Sequence, residues 1–490
     1  MSILTDGMKG VVVLAFLFHF SIFAQDEAQT EEVASPNASQ SADVTVQETV
    51  EKPAEATEED KTEQSQDTEK NWTLSELLKS TKSHNGQTQE VQQDPEIARQ
   101  QLERARAAAY PTGQALILAA PIFEETGNAL RSTSNLSKWG PFLQGAAQLV
   151  QPLYTFGQID GYKDAAENQI KATEGLVAIK EAEVILQAKE FYYSYLMAGE
   201  LKTLVEDLVA FLEEASESAE KSLKKKKTTV KPHDVANLKS NLEDLRQKKL
   251  LAATGMKTAS RAIAWISVSQ FEAMKKINLK PEKFKIKTLQ EYLDIAKRSR
   301  PEFKALEAGQ RARMALSDAK AAQSYPVIFV GGFLSHAWSP VRTRQPSVFA
   351  NDPFNRFQGG IGLGVKFNLD FKRHSAEAAE EAAQAMKLKA KESWAAPGIE
   401  LEVKKAFWEM EQAIEGLEIA RNRKRITKKW FVSNAMGWSI GVVKAKDLLE
   451  ALEGDGKAKQ NYIETVFSYN MAVARLSKAI GMEVAEKIKY

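Results

Sequence analysis

The stretch from Ile159 to Leu223 constrains the fold most, because it predicts one uninterrupted helix of unusual length. An apolar side chain recurs at every seventh position and no proline interrupts the stretch: Ile170, Val177, Val184, Phe191, Ala198, Val205 and Leu212. Seven residues are slightly less than two turns, so this apolar line stays buried only if helices coil around one another left-handedly. At ~1.5 Å per residue the helix would be about 95 Å long. It must therefore pack side by side with other helices, and a soluble coiled coil is one such arrangement.

Composition excludes several kinds of site. The chain has 490 residues, a net charge of +1 and no cysteine. Without cysteine there is no disulfide framework, no thiolate metal site and no lipidated N-terminal cysteine. The balanced charge offers no argument for a nucleic-acid partner, and we expect none.

Residues 1–24 are typical of an export signal peptide. Lys9 precedes an apolar run over residues 11–23, and Ala24 offers a small residue at a cleavage point. The alternative is an uncleaved anchor. No later stretch approaches about 18 uninterrupted apolar residues, so the sequence predicts no transmembrane helix. A membrane location would then require strands.

Residues 25–71 are predicted to form a disordered acidic segment. This part of the chain is poor in aromatic residues and rich in Gln, Ser, Thr and Ala. Such a composition does not bury enough apolar surface to offset the entropy lost on ordering. We assign it no chemistry.

From residue 72 the sequence repeats itself once, at an offset of about 215 residues. Thr73 corresponds to Thr288, Tyr110-Pro111 to Tyr325-Pro326, and Asp234 to Asp447. The predicted first repeat is 72–287 and the second is 288–486. In each we expect a helix that ends near Tyr-Pro, two strands, a long helix and a returning helix.

The second strand of the second repeat has the clearest pattern. Gly360, Gly362 and Gly364 alternate with residues predicted to form a lipid-facing strand surface that continues to Phe371: Ile361, Leu363, Val365, Phe367 and Leu369. Alternation over about 11 residues is typical of a tilted membrane-spanning strand. A phosphate-binding loop is disfavoured, because Val365 occupies the third glycine position and no helix begins there.

The other three strands follow by position. The partner strand is predicted over Pro326–Trp338, followed by a polar loop over Ser339–Arg356, and the first-half strands over Ala115–Phe123 and Trp139–Tyr154. Four strands cannot close a barrel, and open edges are not tolerated in lipid. Three copies would supply twelve strands and continue into a cylinder of helices.

The chain resembles the TolC family of outer-membrane efflux proteins over about residues 72–485. The resemblance is most specific at Gly437-Trp438-Ser439-Ile440-Gly441 and Asp447-Leu448-Leu449-Glu450-Ala451, with His233-Asp234-Val235 at the matching first-half position. It implies a mixed α+β membrane protein. The implied assembly is a homotrimer with a twelve-stranded β-barrel in outer-membrane lipid and a long periplasmic α-helical coiled-coil barrel.

The resemblance also implies partners and a gate. A periplasmic adaptor (membrane fusion protein) and an inner-membrane RND or ABC transporter would open the periplasmic tip. The residues at the predicted gate and adaptor contact are Asp234, Gly437, Trp438, Ser439 and Gly441. In the family an arginine near the tip helps to hold the closed state, but Val443 stands at its expected position here. A lock would then depend on Trp438 packing or on Lys444 and Lys446.

Asp447 and Glu450 are candidates for a pore constriction. They are three residues apart and share one helix face. Three copies would form two stacked acidic rings that favour cations. The alternative is a solvated helix start, where acidic residues are favoured by the helix dipole.

Two basic segments flank the predicted tips. Lys224–Lys227 lies at the first tip, and a second set precedes the other: Arg421, Arg423, Lys424, Arg425, Lys428 and Lys429. They form either a solvated face or a docking surface for an acidic partner.

The sequence predicts no enzyme. The five histidines include no pair with metal-ligand spacing, and no nucleophile elbow, HExxH or Walker motif occurs. We therefore assign no catalytic residue, cofactor or metal. The predicted function is a passive outer-membrane exit duct for drug efflux or type I secretion. The alternative is a periplasmic coiled-coil scaffold that forms no channel.

Overall fold

The computed structural model describes residues 73–128, 130–224, 231–268, 278–345, 347, 349 and 351–485. The predicted signal peptide, the predicted acidic segment and Lys225–Lys227 lie outside these residues.

The elements follow one order twice, which confirms the internal repeat. The first set is α1 (Leu74–His84), α2 (Gly86–Ala107), β1 (Thr112–Asn128), β2 (Arg131–Tyr154), α3 (Gln158–Lys224) and α4 (Pro232–Ser267). The second is α5 (Leu289–Ser299), α6 (Pro301–Ala322), β3 (Val327–Trp338), β4 (Arg356–Lys366), α7 (Phe371–Ser439) and α8 (Ala445–Ile480). Paired helices match in length, with 11 residues in α1 and α5, 22 in α2 and α6, and 36 in α4 and α8.

Each set of elements begins with the same helix N-cap. The Thr73 hydroxyl accepts from the backbone N–H of Glu76, whose carboxylate accepts from the backbone N–H of Thr73. Thr288 and Glu291 exchange the same two bonds at the start of α5. These reciprocal bonds satisfy N–H groups that have no partner within the helix.

The predicted long helix is present as α3, which has 67 residues. At ~1.5 Å per residue it is about 100 Å long. None of the seven apolar positions in its seven-residue line is exposed, and Val184, Ala198 and Leu212 are buried. The line is therefore the buried seam that its period predicts. Its counterpart α7 has 69 residues and runs through Pro397.

Helix α3 is the axis against which the other helices pack. It contacts α2, α4, α6 and α8 along its length. Where α3 passes α6, a Cβ on Gly175 would lie 2.7 Å from the Cβ of Ala305, so only glycine permits that approach. Three ion pairs join α3 to α4 in antiparallel order: Glu220–Lys239, Glu213–Arg246 and Glu206–Lys249.

The four strands form one antiparallel sheet in the order β1-β2-β3-β4. The two edges of the sheet are therefore β1 and β4. Strand β3 begins one residue after the predicted Pro326. The predicted Ser339–Arg356 loop lies between β3 and β4, except that Arg356 is already the first residue of β4. The first-half strands are longer than predicted, because β1 and β2 continue as a hairpin past an irregularity between Phe123 and Glu124.

The predicted end of β4 was wrong. The strand stops at Lys366, which pairs with Val327, the first residue of β3. The residue before Val327 is Pro326, which has no backbone N–H to donate to β4. Phe367 and Leu369 therefore lie in an irregular segment, and Phe371 is the first residue of α7.

Candidate functional site

The sheet sorts its side chains into an apolar face and a polar face. Residues that are Cα partners across strands share a face, and neighbours along a strand alternate. The apolar face is formed by Ala115, Ile117, Leu143, Leu149, Val330, Leu334, Ile361, Leu363 and Val365. Ile117 is 85% exposed and Ile361 is 88% exposed. One subunit thus presents a wide apolar surface that nothing in the described chain covers.

The polar face carries amides and glycines. It includes Gln114, Gln144, Gln148, Ser335, Gln358, Gly360, Gly362 and Gly364. The glycines accommodate aromatic rings from β3. A Cβ on Gly364 would lie 2.6 Å from Phe329 Cζ, and a Cβ on Gly360 would lie 3.1 Å from Phe333 Cε1. The predicted glycine side of β4 is therefore where two phenyl rings rest.

The loop between β3 and β4 covers the polar face at the end remote from the helices. A Cβ on Gly140 would lie 2.2 Å from Val341 Cγ1. The Phe142 and Phe354 rings meet edge to face at 5.5 Å between centroids. Ala337, on the same face, is only 1% exposed, whereas its neighbour Trp338 on the apolar face is exposed.

Two charged side chains hold this loop. Arg342 pairs with Glu125 of β1, and its guanidinium carbon lies 4.3 Å from the Phe354 ring centroid. Burial raises the pKa of Asp352, but its carboxylate accepts from the backbone N–H groups of Gln345, Phe354 and Asn355 at 2.9–3.0 Å. These bonds favour the ionised form, so the pKa lies below its ordinary value.

Aromatic residues lie near both ends of the strands. Trp139 and Trp338 are exposed at the loop end, and Tyr154 is exposed at the helix end. Phe156 follows β2 and stacks edge to face on Tyr154, with centroids 4.6 Å apart. The apolar band thus has rings at both borders, which is the arrangement of aromatic girdles.

At the opposite end of the long helices, α7 ends in a tight reversal. The backbone N–H of Gly441 donates to Trp438 O at 3.0 Å, and that of Val442 donates to Gly437 O at 2.9 Å. This is the Schellman motif, with Gly441 at a φ of +79°. Helix α7 continues to Ser439, so Gly437 and Trp438 lie in its last turn and Gly441 lies in the reversal.

Gly437 is required by the residue that returns over it. A Cβ on Gly437 would lie 2.3 Å from Val443 Cγ2. Val443, which occupies the expected arginine position, thus packs against the helix end instead of offering a charge. Sequence reasoning recognised both residues but not their contact.

Trp438 lies at the junction of the two helical hairpins. It packs against a buried cluster drawn from α3, α4 and α8: Val209, Leu212, Ala219, Val235, Leu238, Leu242 and Leu452. In the same region the Phe211 and Phe431 rings meet at 5.0 Å between centroids. The tips of the two hairpins therefore share one apolar core.

Asp234 and Asp447 occupy equivalent places, each as the third residue of its helix. The Asp234 carboxylate accepts from the backbone N–H of Lys231 at 2.9 Å and so caps α4. Asp447 and Glu450 are both exposed, and neither forms an ion pair with a described residue. Leu448 between them is fully buried, which fixes the face that the two acids present.

The basic residues of α7 are mostly solvent-exposed. Lys424 is partly buried, and its Nζ lies 4.3 Å from the Tyr462 ring centroid. Burial, followed by the nearby Lys459, lowers the pKa of Lys424. Lys459 also pairs at 2.7 Å with Asp455, a fully buried carboxylate of α8 that sequence reasoning missed. Lys444 and Lys446 form no ion pair within the described residues.

The described residues contain no cluster of His, Cys, Asp and Glu suited to hold a metal ion. None of the helices they form is long and apolar enough to span a membrane.

Comparison with known proteins identifies similar chains. The family described as outer membrane efflux protein matches residues 292–482. No curated protein sequence gives a significant match.

Solved structures extend the similarity to most of the chain. A membrane protein from Pseudomonas aeruginosa has a TM-score of 0.67 at 18% identity, covering 83% of this chain and 93% of that chain. The Campylobacter jejuni CmeC outer membrane channel has a TM-score of 0.66 at 14% identity, covering 85% and 87%. The open state of the Neisseria gonorrhoeae MtrE outer membrane channel has a TM-score of 0.65 at 17% identity, covering 85% and 91%. At these identities the similarity shows a shared fold.

Proposed function

We propose that three copies of this chain, whose residues 292–482 match the outer membrane efflux protein family, form one exit duct through the outer membrane. The observation that supports this proposal is the sheet, in which β1 and β4 are edge strands and the apolar face is exposed. Four strands cannot close, and unpaired edges are costly in lipid. Pairing β1 of one subunit with β4 of the next in a ring of three gives twelve strands, within the range of known membrane barrels.

Strand length supports this arrangement. β3 has 12 residues and β4 has 11. At ~3.3 Å per residue and a tilt near 40°, each rises about 28–30 Å, close to the ~25 Å apolar band of outer-membrane barrels. A periplasmic scaffold, the alternative function, has no use for an apolar strand surface of this height.

The long helices would continue the duct into the periplasm. The proposed gate lies at the tip, where Trp438 packs between the two hairpins and Gly441 reverses the chain. We assign the tip surface to contact with a periplasmic adaptor, which would act with an inner-membrane RND or ABC transporter. Because Val443 supplies no charge, apolar packing around Trp438 carries the closed state in this proposal.

Asp447 and Glu450 would form the acidic rings at the narrow end. Their exposure on one face, set by the buried Leu448, supports this assignment. The duct performs no bond chemistry, and the matched family and the similar structures named as channels are not enzymes.

The proposed edge pairing can be tested by cysteine crosslinking without background, since the chain has no cysteine. Cysteine is placed at one β1 position and one β4 position on the apolar face, over nine pairs: Ala115, Ile117 or Ala119 with Ile361, Leu363 or Val365. Oxidation of membranes should yield reducible dimers and trimers for the pairs in register. The protein should enter the outer-membrane fraction as a heat-dissociable trimer.

A matched pair controls for reactivity. Val330 and Leu363 are Cα partners within one subunit, so Val330→Cys with Leu363→Cys should crosslink without changing the oligomer size. If this control reacts while all nine edge pairs stay monomeric, the shared barrel is contradicted. Recovery of the protein as a soluble periplasmic species would contradict the channel itself.

A further inference from the structure

One row of side chains crosses the whole polar face of the sheet. Gln114 is the Cα partner of Gln148, Gln148 of Phe333, and Phe333 of Gly360. These four residues, one from each strand, are called the Gln–Phe row. Neighbouring strands lie ~4.8 Å apart, so the row spans about 14 Å.

The row is open to a passing molecule. Gln114, Gln148 and Gly360 are exposed, and Phe333 is 54% exposed. The β3–β4 loop covers only the remote end of this face, over Gly140 and Phe142. The Phe333 ring lies over Gly360 without a competing side chain, so one edge of the ring packs on the sheet and the rest remains available.

The row lacks ionisable groups, as do the rows on either side of it. Those rows consist of Leu116, Ala146, Ser335 and Gln358 toward the loop, and Thr112, Val150, Gly331 and Gly362 toward the helices. Amides donate and accept hydrogen bonds without charge. A phenyl ring offers a flat apolar surface on which planar groups stack.

We propose that the Gln–Phe row is a solute-binding belt for uncharged, planar amphipathic organic molecules. This inference rests on the proposed function, in which the polar face of the sheet lines the lumen. In a trimer the row would present six amides and three phenyl rings to the lumen. Planar solutes stack on Phe333 while the Gln114 and Gln148 amides bond their polar edges. The belt gives no preference between cations and anions, which leaves charge selection to the acidic tip.

The belt predicts a difference between two phenylalanines on adjacent strands. Phe333 lies on the polar face, whereas Phe357 of β4 pairs with His336 on the apolar face and is 70% exposed. The probe is caffeine, a neutral planar molecule, added to single trimers in a planar bilayer. Caffeine should reduce the ion current reversibly. Phe333→Ala should raise its half-blocking concentration about two- to tenfold, and Phe357→Ala should leave it unchanged.

Two further measurements separate the contribution of the amide from that of the phenyl ring. Gln148→Leu keeps the side-chain size but removes the amide, so it should also raise the half-blocking concentration. Glucose, which is neutral but not planar, should block neither the wild type nor the variants. Equal effects of Phe333→Ala and Phe357→Ala, or none from either, would overturn the belt while the channel still conducts. Failure of the wild type to form a heat-dissociable trimer in the outer-membrane fraction would instead count against the proposed function.

A labelling experiment tests the same face when the tip passes little current. In intact cells, Phe333→Cys should react with a membrane-impermeant maleimide that enters from outside, and Phe357→Cys should be protected by lipid. Protection at 333 with reaction at 357 would place the row against lipid and contradict the proposal.

Discussion

Gly437 connects the end of α7 to the start of α8 through a single close approach. The space that its Cβ would fill is occupied by Val443, whose Cγ2 would be 2.3 Å away. Gly398, also within α7, has no heavy atom within 4 Å of the corresponding position. An alanine side chain would therefore clash at Gly437 and fit without contact at Gly398, although both residues belong to α7.

We expect Gly437→Ala to destabilise the protein and Gly398→Ala to stabilise it. The clash forces α7 and the reversal apart, at a cost of ~1–3 kcal/mol. At Gly398, alanine lowers the entropy of the unfolded chain and adds ~0.4–1 kcal/mol of stability. Thermal unfolding of the purified variants, followed by helical circular dichroism, measures both. Equal midpoints for the two variants would show that Val443 does not constrain the turn.

At the scale of elements, Arg300 joins three helices where α5 passes into α6. Its guanidinium donates to the carbonyls of Lys478 and Ala479 at the end of α8 and to the Glu402 carboxylate of α7. The side chain is only 6% exposed. It thus satisfies carbonyls that have no partner within α8 while linking the returning helix to the long one.

Arg300→Ala should loosen this junction. The variant loses the charge-assisted bonds from Arg300 to the Ala479 carbonyl and the Glu402 carboxylate, which costs ~1.5–3 kcal/mol. Arg311→Ala is the matched control, since Arg311 is 58% exposed and, among the residues that the structure describes, pairs only with Glu307 in its own helix. Exposed pairs contribute ~0–1 kcal/mol. Denaturant or thermal unfolding that ranks the two variants equally would contradict the proposed role of Arg300.

The elements with a strong period were predictable from sequence. The apolar residues at every seventh position predicted α3, because a line of that length stays buried only in a helix that coils around its neighbours. Thr73 and Thr288 correspond in the sequence repeat, and in the structure both form the same helix cap. The alternation of Ile361, Leu363 and Val365 with glycine predicted β4.

What the sequence did not reveal depends on neighbours distant in the chain. Phe367 and Leu369 continue the alternation of β4, yet the strand ends because β3 has no residue left to pair with them. The β3–β4 loop was recognised as polar, but its fold over Gly140 depends on Glu125 of another hairpin. Phe329 and Phe333 are four residues apart, as are Gly360 and Gly364. Only the strand register shows that each ring lies on one of these glycines.

For the whole molecule, each end presents a different electrostatic surface. The polar face of the sheet has amides in place of charges over the Gln–Phe row. The far end of the helices presents Asp447 and Glu450, exposed and without a described ion-pair partner. In the proposed trimer six carboxylates converge at the tip, so charge selection and solute contact occur about one helix length apart, ~100 Å along α3.

Neutralising both acids at the tip should weaken cation preference. Charged rings attract counter-ions over about one Debye length, ~8–10 Å at physiological salt. Asp447→Asn with Glu450→Gln should therefore shift the reversal potential in a potassium chloride gradient toward zero. Glu96→Gln with Glu103→Gln removes the same charge per subunit from exposed positions of α2, far from the tip, and should leave the potential unchanged. Equal potentials for both double variants and the wild type would mean that Asp447 and Glu450 are only a solvated helix start.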